Sequence, residues 1–98
     1  MATAPVKLSE AEISRRLAAL KGWQREGNAI TREFVLAGFT EATQFVGKIA
    51  PIADAMDHHP DVHLYRYKRV KIMLTTHSAG GITQNDFDLA TRIDAMGV

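Results

Sequence analysis

Val62-His63-Leu64-Tyr65-Arg66-Tyr67-Lys68-Arg69-Val70-Lys71-Ile72-Met73-Leu74 is the stretch that decides the fold. Apolar and polar side chains alternate from Val62 to Tyr67, and Val70, Ile72 and Leu74 alternate again after Lys68-Arg69. Successive side chains of a strand point to opposite faces, so a period of two predicts two strands here, joined at Lys68-Arg69. The second strand exits into Thr75-Thr76-His77, and Ser78-Ala79-Gly80-Gly81 then reads as a flexible turn.

Working outward, Thr83-Gln84-Asn85-Asp86 has the spacing of a capping box and opens a helix with Phe87, Ala90, Ile93 and Met96 facing inward. Upstream, Phe45, Ile49, Ile52 and Met56 recur at helical spacing behind Thr40, a good N-cap. Pro51 lies inside that helix, where it removes one hydrogen bond and crowds the carbonyl of Gly47, so a bend is expected. The helix must be over by His59, because a residue before proline avoids helical backbone angles. Gly27-Asn28 separates Gln24-Arg25-Glu26 from the alternating run Ile30–Leu36 and reads as a hairpin turn. Ile30, Phe34 and Leu36 share one face of that run, interrupted by Arg32. Ser9-Glu10-Ala11-Glu12 is a second capping box, leading a helix with Ile13, Leu17 and Leu20 on one stripe and a stop at Lys21-Gly22. Residues 1–7 are expected to be loose. The order is therefore α-β-β-α-β-β-α, which predicts an α+β fold: a four-stranded antiparallel sheet with three helices on one face, one domain over residues 1–98.

Ninety-eight residues, 46% of them hydrophobic and 23% charged, describe one globular core. A net charge of +1 with no basic run gives no electrostatic footprint for nucleic acid or an acidic membrane. The absence of cysteine excludes disulfides, thiolate chemistry and Cys-based zinc sites. No apolar signal core opens the chain and no stretch has the length of a membrane span, so a cytoplasmic protein is expected.

Chemistry concentrates in Asp54-Ala55-Met56-Asp57-His58-His59-Pro60, with His77 and Asp86 further on. Imidazole both gives and takes protons near neutral pH, so several such groups around one ligand suit a reaction that moves protons between heteroatoms. Each piece also has a plain structural reading. His58-His59 fits an exposed helix stop, and His77 fits a strand-end histidine. Asp86 fits the third position of a capping box, and Asp54 and Asp57 fit solvated or locally paired helix residues. Thr75 and Thr76 suit a strand, His63 is taken as structural, and Trp23 reads as a partly buried anchor whose ring is of a kind that stacks on heterocycles. No H-E-x-x-H or comparable spacing appears, so no metal is expected.

Taken in order, Asp54, His58-His59-Pro60, Tyr67, His77 and Asp86 resemble the pterin-4a-carbinolamine dehydratase family, whose animal members double as dimerisation cofactors of a homeodomain transcription factor. Leu8-Ser9, Gly22-Trp23, Asp57, Leu74-Thr75-Thr76, Gly81-Ile82-Thr83 and Leu89-Ala90 extend the likeness from Leu8 to Asp94. The resemblance implies the same four-stranded sheet with three helices, assembled as a homodimer or homotetramer. It implies dehydration of 4a-hydroxytetrahydropterin to quinonoid dihydropterin, recycling the pterin used by aromatic amino acid hydroxylases. The pterin is the substrate, and no metal or cofactor is implied. Catalytic positions fall on His58, His59, His77 and Asp86. Substrate contacts fall on Asp57, His58, His59, Thr75, Thr76, His77 and Ser78, with Asp54 and Trp23 supporting. Two positions depart from the family pattern: Asp54, where the leading acid is commonly Glu, and Pro51, where relatives usually carry an ordinary helix former. The rival expectation is a non-catalytic binding module on the same fold, a transcriptional coactivator or assembly chaperone, which would have no need of the complete histidine set.

Overall fold

The computed structural model describes residues 5–97. The elements are α1 (Glu10–Ala18), β1 (Gln24–Glu26), β2 (Ala29–Val35), α2 (Phe39–Met56), β3 (Asp61–Tyr65), β4 (Arg69–Leu74), a one-turn 3-10 segment (His77–Ala79) and α3 (Gln84–Asp94). Part of the expected loose start, residues 1–4, lies outside the described range. Leu8 N–H already donates to the Ile82 carbonyl at 2.9 Å.

Alternation in β4 sets the layering. Val70, Ile72 and Leu74 are fully buried, while Arg69, Lys71 and Met73 take the opposite face. All pairings are antiparallel in the order β1-β2-β4-β3. Register places Ile30, Arg32 and Phe34 of β2 beside Leu74, Ile72 and Val70, and Val62 and Leu64 of β3 beside Ile72 and Val70. That single inner face packs against Ile13 of α1, against Ala42, Phe45 and Ile49 of α2, and against Phe87, Leu89, Ala90 and Ile93 of α3. Each fully buried Ile, Leu, Val or Phe side chain of this set contributes about 1.5–3 kcal/mol. Phe34 stacks obliquely on Phe45, with ring centroids 4.7 Å apart, and meets the edge of Trp23 at 6.3 Å.

Arg32, the interruption on the core face of β2, is fully accommodated. Its Nη1 lies 2.8 Å from Asp94 Oδ1, and its guanidinium carbon stands 4.5 Å above the Phe34 ring. Trp23 Nε1 donates to both Asp94 oxygens, at 3.1 and 3.0 Å. Gly22, at φ +90°, passes so close that a Cβ there would meet the guanidinium at 3.0 Å.

Several boundaries differ from the sequence reading. The α1 helix ends at Ala18, before Lys21-Gly22, because Ala19 and Leu20 N–H groups turn back to Arg16 and Leu17 carbonyls and tighten the last turn. Only half of its capping box forms: Ser9 Oγ accepts from Glu12 N–H at 3.2 Å, while the Glu12 carboxylate turns to Arg15 and Arg16. The α2 helix starts at Phe39 with Gly38 as N-cap, and Ala42 N–H reaches the Gly38 carbonyl at 3.0 Å. Thr40 therefore lies inside the first turn. The helix runs on through Pro51, which is exposed, to Met56. The β3 strand stops at Tyr65, and Tyr67 belongs to the turn, where Arg66 and Tyr67 both take left-handed angles (φ 47° and 53°). Ser78–Gly81 forms no open loop: Ala79 and Gly80 N–H bond Thr76 and His77 carbonyls, and Thr76 pairs with Gly81.

Candidate active site

The end of α2 directs the first histidine. Asp57 adopts left-handed angles (φ 50°, ψ 42°), its N–H bonds the Asp54 carbonyl at 3.1 Å, and His58 N–H reaches back to the Ala53 carbonyl at 3.1 Å. This pair of bonds is a Schellman stop. A left-handed L-residue costs roughly 1–2 kcal/mol, a cost Asp bears better than most. The chain thereby leaves the helix with His58 turned inward and His59 outward.

His58 is buried, and its Nε2 lies 2.6 Å from Asp86 Oδ1. Asp86 is fully buried, near the start of α3. Its Oδ2 accepts from Thr83 N–H at 2.9 Å and from Thr76 Oγ1 at 2.9 Å. Thr76 and Thr83 hydroxyls are themselves 2.8 Å apart, and Thr83 Oγ1 accepts from Asn85 N–H at 3.2 Å. Asp86 thus serves in the capping box read from sequence and also holds His58. Burying a carboxylate costs several kcal/mol unless its oxygens are filled, and here both are.

His59 lies in different surroundings. Its Nε2 is 2.8 Å from Asp54 Oδ1, with both side chains more than half exposed (58% and 74%). His77 opens the 3-10 turn and is exposed. It lines a recess of about 290 Å³ with Asn28, Ala29, Thr75, Gly80 and Gly81. Thr75 Oγ1 donates to the Asn28 carbonyl at 2.5 Å, tying the exit of β4 to the β1–β2 turn. His58 and His59 are not among the residues lining this recess, and the His77 side chain makes no hydrogen bond to the buried cluster among the described residues; its chain neighbour Thr76 does. Ser78 is exposed. Trp23 sits in the core, bonded to Asp94, and does not line the recess. A larger open hollow of about 670 Å³ runs along edge strand β3, lined by His63, Tyr65, Lys71 and Met73 among others, with no carboxylate in its wall.

Two contributors went unassigned from sequence. Thr83 was legible only as a cap, and Asn28 only as a turn residue. The Thr-x-x-Asp spacing carried a signal for Thr83, since a capping-box carboxylate has a second oxygen to fill. Nothing in the spacing marked Asn28.

Set beside known proteins, residues 6–96 match the family model described as pterin 4 alpha carbinolamine dehydratase. The chain belongs to that family. A Sulfolobus acidocaldarius protein, provisionally named as a pterin-4-alpha-carbinolamine dehydratase, is 51% identical over 93% of this chain and 99% of its own. A similarly named protein of Roseiflexus sp. (strain RS-1) is 52% identical over 92% and 96%. Among solved structures, a Brucella melitensis protein described as a transcriptional coactivator/pterin dehydratase superposes with a TM-score of 0.87 at 37% identity, covering 94% of this chain and 99% of its own. A pterin dehydratase-like protein described as a RuBisCO assembly factor in the alpha-carboxysome shares the fold, with a TM-score of 0.59 at 19% identity. The family's dehydratases are lyases, and the three helices, four-stranded antiparallel sheet and element order of this chain match the Brucella fold. Among the described residues no helix is long and apolar enough to cross a membrane.

Proposed function

We propose that the protein dehydrates a 4a-hydroxytetrahydropterin to the quinonoid dihydropterin. The observation that carries the reading is the buried His58–Asp86 pair, saturated by Thr76 and Thr83, with His77 next in the chain at an accessible recess. In the substrate, the nitrogen lone pair beside the carbinol carbon forms a C=N bond as the C–O bond breaks. Hydroxide is a poor leaving group, so an acid protonates that oxygen and water departs. A base takes the ring N–H proton, which keeps the charge balanced. His58 and His77 fill these two roles, in an order left free, and each supplies about 100- to 10,000-fold. His59, held by Asp54, orients and binds, and Asp57, Thr75, Thr76 and Ser78 complete the substrate contacts. The nitrogen lone pair provides the electronic push, so the reading calls on no metal or cofactor.

The same reading carries a cytoplasmic location, a homodimer or homotetramer, and a functional link to an aromatic amino acid hydroxylase whose spent pterin it returns. A second reading is supported by the Brucella relative, whose description couples coactivator with dehydratase: a binding module with little or no catalysis. Stopped-flow measurement of 4a-hydroxytetrahydropterin loss separates the two. The expected result is strong acceleration by the wild type and a fall of about 100-fold or more for His58→Ala and for His77→Ala. No acceleration by the wild type would leave the binding module.

A further inference from the structure

With Asp86 ionised, the proton positions in the buried cluster follow from counting donors. Thr83 Oγ1 accepts from Asn85 N–H, and Thr83 N–H is given to Asp86 Oδ2. A threonine hydroxyl has one proton to donate. Thr76 gives its proton to Asp86 Oδ2, so the 2.8 Å contact between the two hydroxyls is completed by the proton of Thr83. An ionised carboxylate only accepts, and two donors already converge on Oδ2. The remaining oxygen, Oδ1, faces His58 Nε2 at 2.6 Å, so Nε2 carries a proton. His58 Nδ1 then holds the free lone pair of the neutral ring. It has no hydrogen-bond partner among the described residues, and it is not among their sealed, unpartnered buried atoms, so it reaches the surface.

We infer that Thr83 and Thr76 are positioning residues that act through Asp86 to lock His58 in the Nε2–H tautomer, leaving Nδ1 as the atom that exchanges a proton with substrate. The role in turnover rests on the dehydratase reading; the proton order does not. Acting as base, Nδ1 takes the substrate N–H proton and the ring becomes an imidazolium facing the Asp86 carboxylate. Acting as acid, the imidazolium gives its Nδ1 proton to the departing oxygen and returns to the Nε2–H form. In either case Nε2–H stays bonded to Asp86, and the Thr83→Thr76→Asp86 order of donation is unchanged. The Thr76 hydroxyl is needed because Oδ2 without it keeps only the Thr83 N–H among the described residues, and a proton taken up by the carboxyl could then be offered to Nε2, which removes the constraint on the ring.

The test is long-range ¹H–¹⁵N correlation on histidine-labelled protein, at a pH where His58 is neutral, combined with steady-state kinetics. The wild type is expected to show a single Nε2–H tautomer. Thr76→Val is expected to give a mixed tautomer and a fall in kcat of about tenfold or more, and Thr76→Ser to restore both. An Nδ1–H wild-type ring, which needs no variant to observe, would overturn the inference. So would a folded Thr76→Val protein with wild-type tautomer and wild-type kcat. A wild-type Nε2–H ring in a protein that fails to dehydrate the pterin would remove the dehydratase reading and support the proton order.

Discussion

His58 and His59 are neighbours in the chain, and each has an aspartate within 2.8 Å, yet the two pairs are physically unlike. His58–Asp86 is buried, ties the segment after α2 to the first turn of α3, and has its remaining carboxylate oxygen filled by a hydroxyl and a backbone N–H. His59–Asp54 lies in water at the end of one helix. The difference shows that a histidine–carboxylate pair takes its worth from its surroundings more than from its length. An exposed pair adds about 0–1 kcal/mol, whereas removing one partner of a buried pair costs about 3–5 kcal/mol because the other is stranded. The buried ring is fixed, and the exposed one is free to move.

The contrast can be broken most easily at its strong end. Asp86→Ala leaves His58 Nε2, Thr76 Oγ1 and Thr83 N–H without an acceptor, and should lower the unfolding free energy in urea by about 3–5 kcal/mol. Asp54→Ala should change it by less than about 1 kcal/mol. Equal losses for the two would show that burial does not separate the pairs. The turn that aims the histidines apart gives an intermediate effect. Asp57→Gly keeps the left-handed stop and should match the wild type or exceed it by up to about 1 kcal/mol, while Asp57→Val should cost about 1–2 kcal/mol. A Val variant as stable as the Gly variant would mean that the stop is not left-handed in solution.

How much of this was legible in sequence depends on whether a side chain or a backbone angle makes the decision. The capping box at Thr83–Asp86, the alternation of β4 and the Gly27-Asn28 hairpin all write themselves in side chains, and they stand where the reading put them. The start of α2 does not: Gly38 caps it without a side-chain bond, and Thr40 was the more visible candidate. The end of β3 is hidden for a similar reason. Arg66 and Tyr67 turn through left-handed angles without a glycine, so the alternation runs on through residues that have already left the sheet. At the site, the histidines were marked by the family resemblance, but the sending of His58 inward and His59 outward was not. That divergence is decided at Asp57, where nothing in the composition announces a positive φ.

The smallest expected effect lies on the far face of the sheet and sets a scale for surface electrostatics. The Thr31 hydroxyl, bonded to Glu26 at 2.5 Å, holds the Glu26 carboxyl below the usual carboxylate range, and Lys71 adds to the effect. Its folded pKa is depressed, so its contribution is present above the unfolded value and is lost as pH falls through the lower, folded value. Glu26→Gln should therefore narrow the stability difference between neutral and acidic pH slightly, read as urea midpoints. A variant whose acid loss is larger than that of the wild type would reverse the sign.

The central claim is that an ionised Asp86 holds His58 as the proton-transferring ring, and Asp86→Asn tests it most directly. An asparagine can still accept from Thr83 N–H and Thr76, but its NH₂ then faces Nε2 and forces the opposite tautomer. Stopped-flow loss of the carbinolamine by a variant with wild-type circular dichroism should slow by about 100-fold or more. A well-folded Asp86→Asn protein turning over at the wild-type rate would contradict it.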